Sequence, residues 1–141
     1  KADLLTPNRP EAELLADMKI DSEKDIDVAA RKLLDMGPKA VLIKGGHFGS
    51  ASAAEFTDWL ALPDEPLIAL KQPGVKTSNN HGTGCTLSAA IATYLGLGLG
   101  IRDAIVHAQK FLNHCLRHGY APGLGAGPPN HASWIAKRVG E

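Results

Sequence analysis

The stretch from Ser22 to Gly46 constrains the fold more than any other, because its apolar pattern changes once, at a defined place. Ile26, Ala29, Ala30, Leu33 and Leu34 recur at i, i+3, i+4, i+7 and i+8, the stripe that a helix turns toward a core. Ser22 stands ahead of it with Asp25 three residues later, a capping-box-like start, and Gly37-Pro38 stops it. Ala40-Val41-Leu42-Ile43 is then an apolar run of strand length that ends in Lys44-Gly45-Gly46. Upstream, Ala2 to Thr6 has the character of the end of a buried strand. Thr6-Pro7-Asn8-Arg9-Pro10-Glu11 turns from it into a short helix through about Asp17, with Pro10 suited to the first helical position and Glu11 to the positive end of the dipole. The order strand, helix, helix, strand predicts an α/β fold with a mostly parallel sheet. It also puts ligands beyond the carboxyl ends of the strands, where Asn8 and Gly45 lie.

Farther along, Phe56 to Leu62 and Leu67 to Leu70 read as a hairpin of two short strands separated by a turn at Pro63-Asp64-Glu65-Pro66. Gly82-Thr83-Gly84 opens a long helix through Leu95. A second helix near Arg102 to His118 gathers Ile101, Ala104, Ile105, Ala108, Leu112, Cys115 and Leu116 on one face. Gly119 to Asn130 is a Gly/Pro-rich loop, after which Trp134 and Ile135 dock a final turn. With 141 residues and 44% hydrophobic character, the chain can build one core, so a single domain is expected over residues 1–141.

Charge and cysteine usage exclude several classes of partner. Fifteen Lys plus Arg balance fifteen Asp plus Glu, which leaves no electrostatic footprint for nucleic acid or an anionic membrane. The most apolar stretch, Leu87 to Ile101, is too short to span a bilayer and is broken by glycines. Lys1 to Leu5 shows neither a signal-peptide nor a transit-peptide pattern. Two cysteines, Cys85 and Cys115, are too few for a disulfide framework, so free thiols in a reducing, cytoplasmic compartment are expected.

The segment Asn80-His81-Gly82-Thr83-Gly84-Cys85-Thr86-Leu87-Ser88-Ala89-Ala90 carries the strongest chemical signal, a glycine-rich turn running into an apolar helix. Two glycines let backbone approach a phosphate, the unpaired N–H groups of the first helical turn point at it, and the dipole favours its negative charge. A thiol at a helix N-terminus is easier to ionise, which would make Cys85 a proton acceptor. A glycine-rich helix start with a buried cysteine is an equal alternative on the turn alone.

That string, together with Thr6-Pro7-Asn8-x-x-Glu11-Ala12, Val41-Leu42-Ile43-Lys44-Gly45-Gly46-His47 and Gly125-x-Gly127-Pro128-x-Asn130-His131, resembles the hydroxymethylpyrimidine/phosphomethylpyrimidine kinases of thiamine biosynthesis. The four segments occur in family order and span nearly the whole chain. Cys85 narrows the likeness, since most ribokinase-like sugar kinases carry aspartate there. The resemblance implies the C-terminal, nucleotide-side half of a ribokinase-like three-layer α/β/α fold. It implies transfer of the ATP γ-phosphate to the hydroxymethyl group of a pyrimidine and then a second phosphorylation of the monophosphate. Cys85 would be the base and touch the substrate, and Gly82, Thr83 and Gly84 would form the anion hole. Asn8 and Glu11 match an Asn-x-x-Glu motif that organises Mg²⁺ and its water shell, Glu11 through water. Lys44 would neutralise triphosphate charge. The helix near Gln109 and the loop around Gly125 to Gly127 would border adenine.

The implied partners are ATP, the pyrimidine, and the N-terminal half of the fold or an oligomer in its place. That half would supply the substrate floor and the opening strands. Thr77-Ser78-Asn79-Asn80 departs from the family pattern, which has a basic residue near Ser78 and threonine near Asn80. A pyridoxal kinase-like enzyme and a non-catalytic nucleotide-binding fragment are the alternatives.

Taken singly, Asn8 with Glu11 is as well a turn residue with a first-turn acid, and Gly45-Gly46 a tight strand exit. His114 and His118 stand four apart beside Cys115, a spacing that admits a metal, but solvent-facing histidines account for it more simply. Gly96-x-Gly98-x-Gly100 and Gly123-x-Gly125-x-Gly127 lack the strand-to-helix setting of a dinucleotide fingerprint. Trp59 and Trp134 read as packing residues.

Overall fold

Leu4–Leu5 (β1) runs parallel to Ala40–Ile43 (β2), with Leu4 opposite Ala40 and Leu5 opposite Val41. The computed structural model describes residues 2–45 and 55–139, with side chains as far as Ile135 in the last helix. It divides into two compact units, Lys1–Gly74 and Val75–Glu141.

In the first unit, Arg9–Ala16 (α1) and Glu23–Asp35 (α2) connect β1 to β2, as the change of period predicts. Arg9 takes the first helical position and Pro10 the second, one residue earlier than expected, because Asn8 caps the helix with its side chain. Both early positions lack an intrahelical acceptor, so the proline costs no hydrogen bond there. Ser22 caps α2, its Oγ accepting the Asp25 N–H at 3.3 Å. The reciprocal arm differs from a true capping box, since the Asp25 carboxylate accepts from the Ser22 hydroxyl at 2.8 Å and from the Asp21 N–H at 3.1 Å.

The predicted stripe is the packed one. Ile26, Ala29, Ala30 and Leu33 are buried in one cluster with Val41 and Ile43 of β2 and Ala12 of α1. Each fully buried Leu, Ile or Val contributes about 1.5–3 kcal/mol. Trp59 packs against the same cluster.

Glu55–Ala61 (β3) and Ile68–Pro73 (β4) complete, among the described residues, a sheet of order β1-β2-β3-β4. β3 and β4 form the expected antiparallel hairpin, but the expectation of a mostly parallel sheet needs correcting at β2 with β3, which is also antiparallel, so that among these strands only β1 with β2 is parallel. The connection from Leu62 to Leu67 is too short for a parallel crossover, so the chain reverses directly, with Asp64 at φ 60° in the turn. β4 also runs three residues beyond Leu70, pairing as far as Pro73 opposite Glu55.

In the second unit, Thr83–Gly96 (α3) packs on Ile101–Arg117 (α4), and Ala132–Val139 (α5) packs on α4. Ala104, Ile105, Ala108 and Cys115 of the predicted stripe are buried. Trp134 docks α5 edge-on against Phe111 at 5.6 Å between ring centroids and against His114 at 5.2 Å. Among the described residues no helix is long and apolar enough to cross a membrane.

Candidate functional site

The carboxyl ends of β1 and β2 stay zipped one step past the strands. Lys44 N–H donates to Pro7 O at 2.9 Å, and Asn8 and Lys44 form an isolated parallel bridge. This sets Asn8, Lys44 and the first turn of α1 side by side at the strand ends, where the alternation places ligands. Asn8 and Glu11 then close a capping box. Asn8 Oδ1 accepts the Glu11 N–H at 2.9 Å, and Glu11 Oε2 accepts the Asn8 N–H at 2.7 Å. The pair is thus a helix cap first, and the cap orients Glu11 so that Oε1 is its remaining oxygen. Among the described residues Lys44 forms no ion pair.

Gly45 leaves β2 against β3. Its N–H donates to Asp58 Oδ1 at 2.9 Å, and a Cβ built on it would fall inside the Thr57 carbonyl. The tight strand exit is therefore a real requirement for glycine. Gly46 and His47 of the same motif lie outside the described residues.

Behind the cap, Glu13 ties α1 to the loop that follows it. Its Oε1 accepts from Arg9 Nε at 3.3 Å and from the Ile20 N–H at 3.1 Å, and its Oε2 from Lys19 Nζ at 3.4 Å. The Ile20 N–H first, then Arg9 and Lys19, hold the Glu13 carboxyl below its ordinary value of 4.5. A folded-state pKa below the unfolded one adds stability that is fully present above the unfolded value and lost as pH falls through the folded one. Glu13→Gln is therefore expected to lower the thermal midpoint at neutral pH, with the gap to wild type closing as pH drops below 4.5. A gap that is independent of pH in thermal melts would show that the charge is not involved.

In the second unit, Gly82 takes the N-cap of α3 with φ 83°, a left-handed conformation that a side chain would strain. No side chain caps this end. The first regular helical bond runs from Thr86 N–H to Gly82 O at 2.9 Å, and Thr83 N–H reaches Asn80 O at 3.4 Å. Among the described residues the N–H groups of Gly84 and Cys85 have no acceptor. Cys85 is exposed, unlike the buried cysteine of the alternative reading. Cys115 is the opposite case: it is fully buried, and burial pushes its thiol up to about 11.

Asn8, Glu11 and Lys44 thus come together in the first unit, and Gly82, Thr83, Gly84 and Cys85 in the second. The latter arrangement can bind an anion on free amides beside a thiol. Sequence reasoning missed the residues that hold it. Asn79, inside the segment that departs from the family pattern, accepts the Gly127 N–H on Oδ1 at 3.1 Å. Thr86 Oγ1 shares a 2.8 Å hydrogen bond with His131 Nε2. The available signal was that Gly127 and His131 belong to the fourth motif, yet no periodicity links loop residues so far apart. The other constellation is an aromatic stack: the rings of His114 and His118 lie 4.3 Å apart, and His118 Nδ1 hydrogen-bonds His114 O at 2.9 Å.

The family model described as phosphomethylpyrimidine kinase matches residues 1–130. The chain belongs to the phosphomethylpyrimidine kinase family. It is 46% identical over 132 residues to a hydroxymethylpyrimidine/phosphomethylpyrimidine kinase of Synechococcus elongatus, covering 92% of this chain and 48% of that protein. A Haemophilus influenzae enzyme of the same description is 38% identical, over 98% of this chain and 51% of its own length. The chain therefore spans about half the length of these curated relatives. Among solved structures it is similar to the pyridoxal kinase of Staphylococcus aureus in complex with AMP-PCP, with a TM-score of 0.85 and 31% identity over 95% of this chain and 48% of that one. It is also similar to a phosphomethylpyrimidine kinase of Clostridium difficile, with a TM-score of 0.61 and 34% identity over 79% of this chain and 42% of that one. These likenesses fit the ribokinase-like α/β fold.

Proposed function

We propose that the full-length protein carrying this chain transfers the γ-phosphoryl group of ATP to 4-amino-5-hydroxymethyl-2-methylpyrimidine and then to its monophosphate. One observation carries the reading: an exposed thiol stands in the first turn of α3 beside amides that have no acceptor among the described residues. In the proposed reaction the substrate hydroxymethyl oxygen attacks the γ-phosphorus and its proton passes to Cys85 Sγ, which acts as the thiolate and becomes the thiol. The bond from phosphorus to the β-phosphate bridging oxygen breaks, and ADP leaves. Gly82, Thr83 and Gly84 receive the charge that builds on the transferring group, since donors fixed in advance need no reorganisation at that moment.

Lys44 and the Asn8–Glu11 box serve the phosphates of ATP in this reading. Glu11 Oε1 is one carboxylate oxygen, and among the described residues no three His, Cys, Asp or Glu gather into a metal cage. That donor set fits Mg²⁺ held through its own water, which would supply charge neutralisation on the phosphates when bound. Because the relatives are about double this chain's span, we assign the rest of the pyrimidine pocket to a further part of the protein.

The pyridoxal kinase likeness makes pyridoxal the control substrate. Parallel steady-state assays of the full-length protein are expected to give efficient phosphorylation of the hydroxymethylpyrimidine and a kcat/KM for pyridoxal lower by at least about tenfold. Efficient turnover of pyridoxal alone would reject the pyrimidine.

A further inference from the structure

The turn that presents the Gly84 and Cys85 amides is held from both sides by one later stretch of chain. On the upstream side, His81 N–H donates to Gly127 O at 3.2 Å, and Gly127 N–H in turn donates to Asn79 Oδ1 at 3.1 Å. On the downstream side, Thr86 follows Cys85 directly, is 9% exposed, and shares its 2.8 Å hydrogen bond with His131 Nε2. His81 and Thr86 bracket Gly82 to Cys85, and Gly127 and His131 are their respective holders. The holding stretch is itself fixed. A Cβ on Gly127 would run into the Tyr120 carbonyl and the Asn79 side chain, Asn130 N–H donates to Cys115 O at 2.9 Å, and the His131 ring stacks on Phe111 at 6.2 Å.

A glycine-containing turn with a left-handed cap has many conformations open to it, and unclaimed amides are useful only if they point one way. We infer that Gly127 to His131 is a brace for the opening turn of α3, and that His131 is a positioning residue acting through Thr86 on the Gly84 and Cys85 amides. The inference rests on the proposed role of that turn in phosphoryl transfer. Fixed donors matter most when charge develops, so loosening them lowers kcat more than it raises KM.

The test uses the full-length protein. His131→Phe keeps a ring over Phe111 and removes the nitrogen, Thr86→Val removes the hydroxyl, and His131→Gln offers a polar group that can reach Thr86. Either of the first two is expected to lower kcat by about 100-fold and to raise nucleotide KM by only about tenfold. The double variant should be no worse than the worse single, the mark of two residues acting as one unit. His131→Gln should recover most of the loss. Titration calorimetry with inorganic pyrophosphate should show about tenfold weaker binding in both single variants. Unchanged kcat and pyrophosphate affinity would overturn the brace. So would multiplying effects in the double variant, or a lowered melting temperature with normal kcat in the folded protein. If the wild type phosphorylates no pyrimidine, the proposed function falls and the pyrophosphate titrations decide the brace by themselves.

Discussion

Cys85→Ala in the full-length protein is expected to lower kcat for the proposed pyrimidine phosphorylation by about 10²- to 10⁴-fold, the usual contribution of a positioned general base, and to leave ADP affinity near wild type. A primary alcohol gives up its proton far above neutral pH, so the attacking oxygen needs an acceptor at the moment of transfer. Cys85 is exposed in the first turn of α3. Alanine is a good helix former and removes only the sulfur, so the loss is chemical rather than conformational. Cys115→Ala is the informative comparison. Its thiol is buried and pushed up to about 11, so it stays protonated near neutrality, and its removal acts through packing. Single-turnover kinetics with saturating ATP would measure the effect directly. Near-normal turnover in Cys85→Ala would take the residue out of the proton-accepting role while leaving the family membership untouched.

Gly45→Ala destabilises the full-length protein by about 3 kcal/mol or more, the upper range for forcing an extra carbon into a filled space. The obstacle is backbone, not the flexible end of a side chain: the added Cβ would fall inside the Thr57 carbonyl on β3. To relieve the clash, β3 must draw back from the end of β2, which pulls Asp58 Oδ1 away from the Gly45 N–H it now accepts at 2.9 Å. Lys44 is the neighbouring residue, and its bridge to Asn8 is the last link between β1 and β2. The substitution should therefore raise KM for ATP in whatever fraction folds. Urea denaturation gives the stability change as a lowered midpoint, and a midpoint equal to wild type would mean that the β2 exit is looser than the geometry requires.

What was legible in the sequence was what repeats. The helix from Ser22 and the strand after Gly37-Pro38 were readable because side chains three and four apart share a helix face and a continuous apolar run needs burial. Strand direction was less so. The short link at Pro63 to Pro66 was legible as a hairpin and is one, but alternation of elements argued for parallel pairing elsewhere, and β2 with β3 is antiparallel. At the site, Asn8 and Glu11 were visible as a spacing, but one spacing serves both a helix cap and a phosphate motif, and the structure adds that the cap is formed. Exposure of Cys85 and the bonds from Asn79 to Gly127 and from Thr86 to His131 had no signature, because a polar contact across 45 or 48 residues leaves no period to detect.

The placement of the two tryptophans gives the chain a built-in pair of optical reporters. Trp59 lies against the apolar cluster of the first unit and Trp134 stands edge-on to Phe111 and His114 in the second, so each unit holds its own indole in a distinct environment. With phenylalanine at either position, the surviving indole's emission reports on the melting of its own unit, so comparing the two variants tests whether the units unfold together or apart.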